Sequence, residues 1–407
     1  MQQLLIWTIL SISAVFLALT LLIVLNKAWR ETRNARISRR RRDLEPKLLT
    51  WAHGEEKSLR KALGGQVGRF DTAVLEEILL DHIQRVRGIE RERLARGVEQ
   101  LGLIDDYLAG LKKRRWWCRA EAAERLGLAA SKRAIQPLSE ALDDEMPEVR
   151  LRAAKALGQL GGITSARKLV RALDQPTRWS QIRVADILIG MGHESLEALL
   201  ESYATLTIDG RIAVLDIVGR IRPVSLIPWL LEELTDANAD IRARAAHALG
   251  SIGDPNVSPE LVKALDDPEW PVRAMAAKAL GRTSSNESIQ ALCSTMRDEQ
   301  WWVRHNSARA LRALGSRGLE ALESLIADGD RYAREQAILM LEEAGLVDER
   351  AAELVSSEGE DRRLAKNFFE RVVASGAISR LQLLSREHPV DEVRRELLAL
   401  LPSELTS

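Results

Sequence analysis

An arginine returns at a nearly fixed interval through most of this 407-residue chain, at Arg119, Arg150, Arg183, Arg211, Arg242, Arg273, Arg304 and Arg334, in steps of 31, 33, 28, 31, 31, 31 and 30 residues. A single globular core has no reason to repeat itself at that interval. A stack of similar units does, because each unit needs only its neighbours to bury its apolar face. Function is therefore expected on a surface built from successive copies, not in one enclosed pocket.

The neighbours of each arginine define the unit. Glu-Val-Arg-Leu-Arg-Ala-Ala-Lys-Ala-Leu-Gly at 148–158 recurs as Asp-Ile-Arg-Ala-Arg-Ala-Ala-His-Ala-Leu-Gly at 240–250 and as Pro-Val-Arg-Ala-Met-Ala-Ala-Lys-Ala-Leu-Gly at 271–281. Val149, Ala153, Ala156, Leu157 and Leu160 fall on one helix face, and the alanines leave room for a neighbouring helix to come close. A second apolar helix precedes each arginine helix, with Ile135, Leu138 and Leu142 or Leu261, Val262 and Leu265 on its buried side. Gly158, Gly250 and Gly281 suit the C-terminal region of the arginine helix, and Asp254-Pro255 reads as an N-cap followed by proline at the first helical position. Aromatic residues make up 4% of the chain, so helix-on-helix packing through Leu and Ala is predicted, without strands. Cys118 and Cys293 have no CxxC spacing, which argues against a disulfide framework or a cysteine zinc site.

These units resemble HEAT repeats, in particular the short HEAT-like repeats that also occur in phycobilisome lyases. The resemblance runs from Arg114 to Gly345 and rests on Asp, then Val-Arg six positions later, then Ala-Ala and Leu-Gly. It implies an all-α, right-handed α-solenoid of helical hairpins. It also implies a polar ladder between adjacent repeats, carried here by Asp144 and Arg150, Asp236 and Arg242, Asp267 and Arg273, Asp298 and Arg304, and Asp328 and Arg334. Lys113, Thr177 and Thr205 stand in the aspartate position of the other three units. The HEAT-type deoxyhypusine hydroxylases bind iron through several His-Glu dipeptides, and this chain has one, His193-Glu194.

The N-terminus carries a second strong signal. Leu4 to Leu25 is uncharged for 22 residues, enough helix to span about 30 Å of hydrocarbon. Lys27, Arg30, Arg33, Arg36 and the run Arg39, Arg40, Arg41 and Arg42 follow, with Glu31 the one acidic residue among them. The positive-inside rule predicts a single-pass anchor with its amino terminus outside and the repeat region cytoplasmic, Trp7 and Trp29 lying near the interfaces. A cleaved signal peptide is the competing reading, disfavoured by the absence of a basic n-region. Arg39 to Arg42 are read as a topology determinant touching anionic lipid. Nucleic-acid binding is the poorer alternative, because the formal net charge of zero leaves residues 43–407 at −7.

The expected organisation is an anchor at 1–26, a basic juxtamembrane segment at 27–43, a helical linker or divergent cap repeat at 44–113, the array at 114–345, and degenerate closing repeats with a tail at 346–407. In the cap, Arg91 and Gly102 align with the repeat arginine and glycine, and Arg363 and Arg394 continue the period at the far end. The unequal steps around Arg183 predict either a local concavity or harmless drift.

Trp116, Trp117, Trp179, Trp270, Trp301 and Trp302 all stand two to four residues before a repeat arginine, at the turn between the two helices of a unit. Trp270, Trp301, Trp302 and Arg304 form a candidate protein-binding edge, because tryptophan and arginine dominate interface hot spots. The alternative is that the rings pack between repeats. Catalytic signals are weak. His53, His82, His193, His247, His305 and His388 are scattered without the i, i+4 metal spacing, and no catalytic residue, metal or cofactor is assigned. The expected function is a membrane-tethered cytoplasmic scaffold that binds partner proteins. The alternatives are an enzyme or enzyme subunit of bilin-lyase or metal-hydroxylase type, or an accessory subunit of a membrane-bound envelope-polysaccharide complex.

Overall fold

A computed structural model describes residues 2–54, 56–175, 180–376 and 378–402, the side chains of 2–15, 18 and 379 excepted. Thr177 and Trp179, and the side chain of Trp7, lie outside the described residues. All regular structure among the described residues is helical, and the chain divides into two compact units, Met1–Leu169 and Val170–Ser407.

The first unit holds α1 (Gln2–His53), α2 (Leu59–Ala62), α3 (Arg69–Arg85), α4 (Gly88–Gln100), α5 (Leu103–Leu111), α6 (Trp116–Leu128), α7 (Ile135–Ala141), α8 (Pro147–Leu160) and α9 (Gly162–Val170), whose last residue opens the second unit. Val74, Ile78, Leu79 and Ile83 on α3 and Leu94 and Val98 on α4 are buried, as their helical spacing predicts, and they close over Leu44, Leu48 and Trp51 of α1. Gly97 gives the Trp51 indole its place, since a Cβ there would meet the ring at 3.2 Å. Arg91 does not take the ladder role its alignment suggests; it donates to the Gln159 carbonyl at 3.1 Å.

One expectation for the N-terminus is corrected here. Among the described residues no helix is long and apolar enough to cross a membrane, which overturns the single-pass topology and the cytoplasmic placement derived from it. Two members of the basic run, Arg40 and Arg41, are held by carboxylates of α3. The run continues α1, and Arg40 grips Asp71 of α3 through two bonds of 2.7 Å while contacting Asp43. Arg41 reaches Asp81 at 3.1 Å and Glu45 at 3.3 Å; Arg39 and Arg42 remain exposed.

The second unit holds α10 (Gln181–Met191), α11 (His193–Tyr203), α12 (Ile208–Ile221), α13 (Ile227–Glu233), α14 (Ala239–Ile252), α15 (Ser258–Lys263), α16 (Trp270–Thr283), α17 (Ile289–Thr295), α18 (Trp301–Ala313), α19 (Ser316–Ser324), α20 (Arg331–Glu343), α21 (Leu346–Glu353), α22 (Gly359–Ser375), α23 (Ser379–Glu387) and α24 (Asp391–Leu400). The arginine helices α12, α14, α16, α18 and α20 lie side by side, and α13, α15, α17 and α19 each pack against the arginine helix that follows. Ala245, Ala246 and Leu249 on α14 and Ala276, Ala277 and Leu280 on α16 are buried. Starts are marked by local caps: Asn238 accepts from Asp240 N and Ile241 N, and Asp330 accepts from Ala333 N. Asp254 caps a 3₁₀ turn that opens with Pro255, as expected.

The repeat glycines do a different job from the one their position suggests. Gly253 and Ser284, both left-handed, end α14 and α16. Gly250 and Gly281 lie inside those helices, where a Cβ would stand 2.5 Å from the Cα of Ala279 and 2.8 Å from the Cα of Ala310. Gly127 meets Ala156 in the same way in the first unit, at 2.6 Å. Glycine against alanine is what lets consecutive arginine helices approach backbone to backbone.

Candidate protein-binding surface

The repeat arginines and aspartates meet, in a register the sequence does not reveal. Arg242 places Nε and Nη2 on the two carboxylate oxygens of Asp267, at 2.8 and 2.9 Å, and Arg273 does the same to Asp298 at 2.7 and 3.1 Å. In the first unit Arg119 holds Asp144 at 2.7 and 2.8 Å. The partner is the aspartate 25 residues ahead, in the next repeat. The aspartate six residues behind offers its backbone carbonyl instead: Asp236 O accepts from Arg242 Nη1 and Asp267 O from Arg273 Nη1, each at 2.9 Å. Arg150 likewise donates to Asp144 O at 2.9 Å. Each aspartate also accepts from the N–H two residues on, Asp144 from Met146, Asp236 from Asn238, Asp267 from Glu269, Asp298 from Gln300 and Asp328 from Asp330. One carboxylate thus shapes the turn before its own helix and clamps the previous repeat, a use of aspartate that combines turn chemistry with bidentate pairing.

The pattern changes towards the end of the array. Arg304 keeps its carbonyl contacts, to Asp298 O at 2.7 Å and Glu299 O at 2.9 Å, but its guanidinium lies over the Tyr332 ring at 4.5 Å. Asp328 is taken by Arg297 instead. Arg334 donates to Asp328 O at 2.7 Å, and Arg394 repeats the carbonyl contact with His388 O in the last unit.

Burial alone would raise the Asp144, Asp236 and Asp267 carboxyl groups, yet the arginine and backbone donors outweigh it and hold all three below the ordinary aspartate range. The Arg297 hydrogen bond is the largest influence on Asp328, in the same direction. A depressed folded-state value contributes stability that is present above the unfolded value of about 3.9 and is lost as pH falls through the folded one. Denaturant melts should therefore give a nearly constant midpoint from neutral pH to about pH 5 and a steep fall below about pH 4. Asp267→Asn should make that fall shallower; an unchanged slope would remove the ladder as its source.

The tryptophans stand on the first turns of the arginine helices and keep much of their surface in water. Trp270 is 39% exposed, Trp301 47% and Trp302 55%. Trp301 meets Trp302 edge-on at 4.7 Å and stacks on His305 at 4.7 Å, so the two indoles are held rigidly while remaining accessible. Arg304 is 7% exposed and adds no surface of its own. Tyr332, which the sequence reading passed over, is 56% exposed on the first turn of α20; it stands two residues before Arg334, the register of Trp302 before Arg304. In the first unit Trp116 and Trp117 occupy the same place on α6, in edge-on contact at 6.0 Å.

A concavity lies in the second unit, beside the irregular step. Ile182 and Ala185 of α10, Ile212 and Ala213 of α12, and His247 of α14 line about 360 Å³. Among the described residues no group of three His, Cys, Asp or Glu side chains is placed to hold a metal ion.

Repeated helical hairpins, a guanidinium-carboxylate ladder joining them and exposed aromatic turns define an α-solenoid with a broad accessible surface. The family model described as HEAT repeats matches residues 104–189, 196–269, 227–311 and 258–342, more than half of the chain. The chain belongs to the HEAT-repeat family. No curated protein matches it. Among solved structures it is similar to the karyopherin Kap121p bound to the extreme C-terminus of the protein phosphatase Cdc14p, at 13% identity over 83% of this chain and 46% of that one, with a TM-score of 0.46. Importin beta aligns at 14% identity over 87% of this chain and 55% of its own, TM-score 0.39. Human deoxyhypusine hydroxylase aligns at 21% over 69% of this chain and all of its own, TM-score 0.26. This chain spans about half the length of the karyopherins it matches.

Proposed function

We propose that this protein is a non-catalytic scaffold that binds partner proteins along the edge formed by the first turns of α16, α18 and α20. One observation carries the reading: Trp270, Trp301, Trp302 and Tyr332 remain 39 to 56% exposed on successive repeats whose backbones are clamped together underneath. Large apolar rings held rigid in water gain free energy when a partner covers them, and little ordering entropy is lost in doing so. The finer kinship with phycobilisome-lyase repeats rests on the Asp, Val-Arg, Ala-Ala and Leu-Gly pattern alone.

A photo-crosslinking residue at position 302 should yield discrete protein adducts in cells, and the same residue at exposed Glu287 should not. Trp270→Ala with Trp301→Ala should abolish the adducts from position 302. Trp302→Ala itself should change stability by about 1 kcal/mol or less, because over half of the ring is already in water. No adduct at 302, or the same adducts from 287, would sink the proposal.

A further inference from the structure

The exposed faces of α14, α16 and α18 carry basic residues in one register. His247, Lys278 and Arg309 each stand five residues after a repeat arginine. Arg244 precedes His247 by three residues, and Arg282 follows Lys278 by four, so both stay on the same helix faces. Arg244, Lys278, Arg282 and Arg309 are all exposed. The glycine-alanine seams at Gly250 and Gly281 hold these helices close, which draws the charges into one patch.

Among the described residues no carboxylate is ion-paired to Lys278, Arg282 or Arg309, and Arg282 donates to Ser251 Oγ at 3.2 Å. Arg244 alone is balanced, by Asp216 at 3.3 Å. Burial of the Lys278 stem lowers its ammonium first, and Arg282, Arg309 and Arg244 then lower it further. His247 is lowered by burial and by Lys278 and Arg282, so the patch owes its charge to lysine and arginine. Like charges at i, i+4 oppose the helix that bears them, and nothing in the packing requires them.

Resting on the scaffold reading above, we propose that α14, α16 and α18 form a binding site for a short acidic segment of the partner protein, with Lys278, Arg282 and Arg309 as its carboxylate-binding side chains. The helices on either side are closer to balance: Asp216 of α12 is paired with Arg244, and on α20 Glu335 is paired with Arg331 and Glu343 with Arg312. Two helix spacings of about 8–10 Å cover about 20 Å, the length of about six extended residues. Three uncompensated cations confined to about 20 Å match a short acidic segment and give a long phosphate backbone nothing further to pair with, which favours a polypeptide. Trp302 lies seven residues before Arg309, on the same face of α18 and about 10 Å along it, so an apolar residue next to the acidic run would meet the aromatic edge.

The test uses the full chain and a fluorescein-labelled peptide with one phenylalanine followed by six glutamates, read by anisotropy at low and at 150 mM salt. A lysine peptide of equal length and a thymidine oligonucleotide of equal charge serve as comparisons. The acidic peptide should bind and weaken with salt, and Lys278→Glu with Arg282→Glu and Arg309→Glu should reduce its affinity at least tenfold. The corresponding glutamine variants, with unchanged circular dichroism and melting, should also weaken it, which separates lost charge from misfolding. Arg317→Glu, an exposed reversal on α19, should leave it unchanged. No binding of the peptide to the native chain, equal binding to the triple variants, or tighter binding of the oligonucleotide at the same patch would each overturn the site. Those results leave the crosslinks at position 302 intact, so failure of the acidic site is distinguishable from failure of the scaffold reading.

Discussion

Gly250→Ala is expected to destabilise the protein by about 2 kcal/mol or more, whereas Gly190→Ala should be neutral or stabilising by up to about 1 kcal/mol. Both glycines lie in arginine helices, near the same place in their repeats. Alanine is the better helix former at each by about 1 kcal/mol, so propensity alone predicts a gain twice. The surroundings separate them. A Cβ at 250 would stand 2.5 Å from both the Cα and the Cβ of Ala279, while at 190 it meets nothing within 4 Å. Backbone and a methyl group cannot rotate out of the way, so α14 and α16 would have to move apart and loosen the whole seam. Overpacking of this kind costs about 1–3 kcal/mol and occasionally more, enough to reverse the propensity gain. Urea melts of the two variants decide the matter: a shift of the same sign in both would mean that the helices do not depend on this approach. Native-state hydrogen exchange should place the loss in α14 and α16, because each repeat of a stack is held chiefly by its neighbours.

Asp267→Ala should cost about 3 kcal/mol, more than any single exposed ion pair in the chain. Its carboxylate accepts from Arg242 Nε, Arg242 Nη2 and Glu269 N, all within 2.9 Å. The side chains of Arg242 and Asp267 are only 14% and 11% exposed, so water cannot fully replace the lost partner. Removing one member of such a pair strands the other, which is where most of the cost arises. Asp267→Asn retains an acceptor for Glu269 N and should lose about half as much. Replacing Arg242 by Met together with Asp267→Ala should recover part of the loss, since no stranded guanidinium remains. Chemical denaturation of these variants and of Arg242→Met alone provides the check, and a double variant destabilised by as much as the sum of Asp267→Ala and Arg242→Met, or by more, would refute the coupling.

The ladder's members were legible, but not its wiring. Asp267 and Arg273, six residues apart, invite a pairing within one repeat, yet the carboxylate of Asp267 belongs to Arg242 and Arg273 uses the Asp267 carbonyl. Sequence spacing records which residues recur and not which copy they face across a stack. Arg304 shows the limit most clearly: it keeps the motif but turns its guanidinium onto Tyr332, leaving Asp328 to Arg297. Within the basic run, Arg40 and Arg41 make the same point. Their carboxylate partners, Asp71 and Asp81, lie some thirty to forty residues on, where local sequence cannot show them.

Of the proposed binding surface, the tryptophan turns could be read from the sequence, because their offset from each arginine is local. The basic patch could not. Lys278 and Arg309 share an offset as plainly as the tryptophans do, but only the structure shows that, among the described residues, no carboxylate is ion-paired to either of them.

Periodicity by itself determined the unit, its helices and its buried alanine face, since those follow from the 3.6-residue turn and from burial of apolar side chains, both local properties of the chain. Tertiary structure decided how close the helices come, which aspartate each arginine holds, and which charges remain open to a partner. Those outcomes depend on distances between residues about thirty positions apart, which arise only when one repeat is laid against the next.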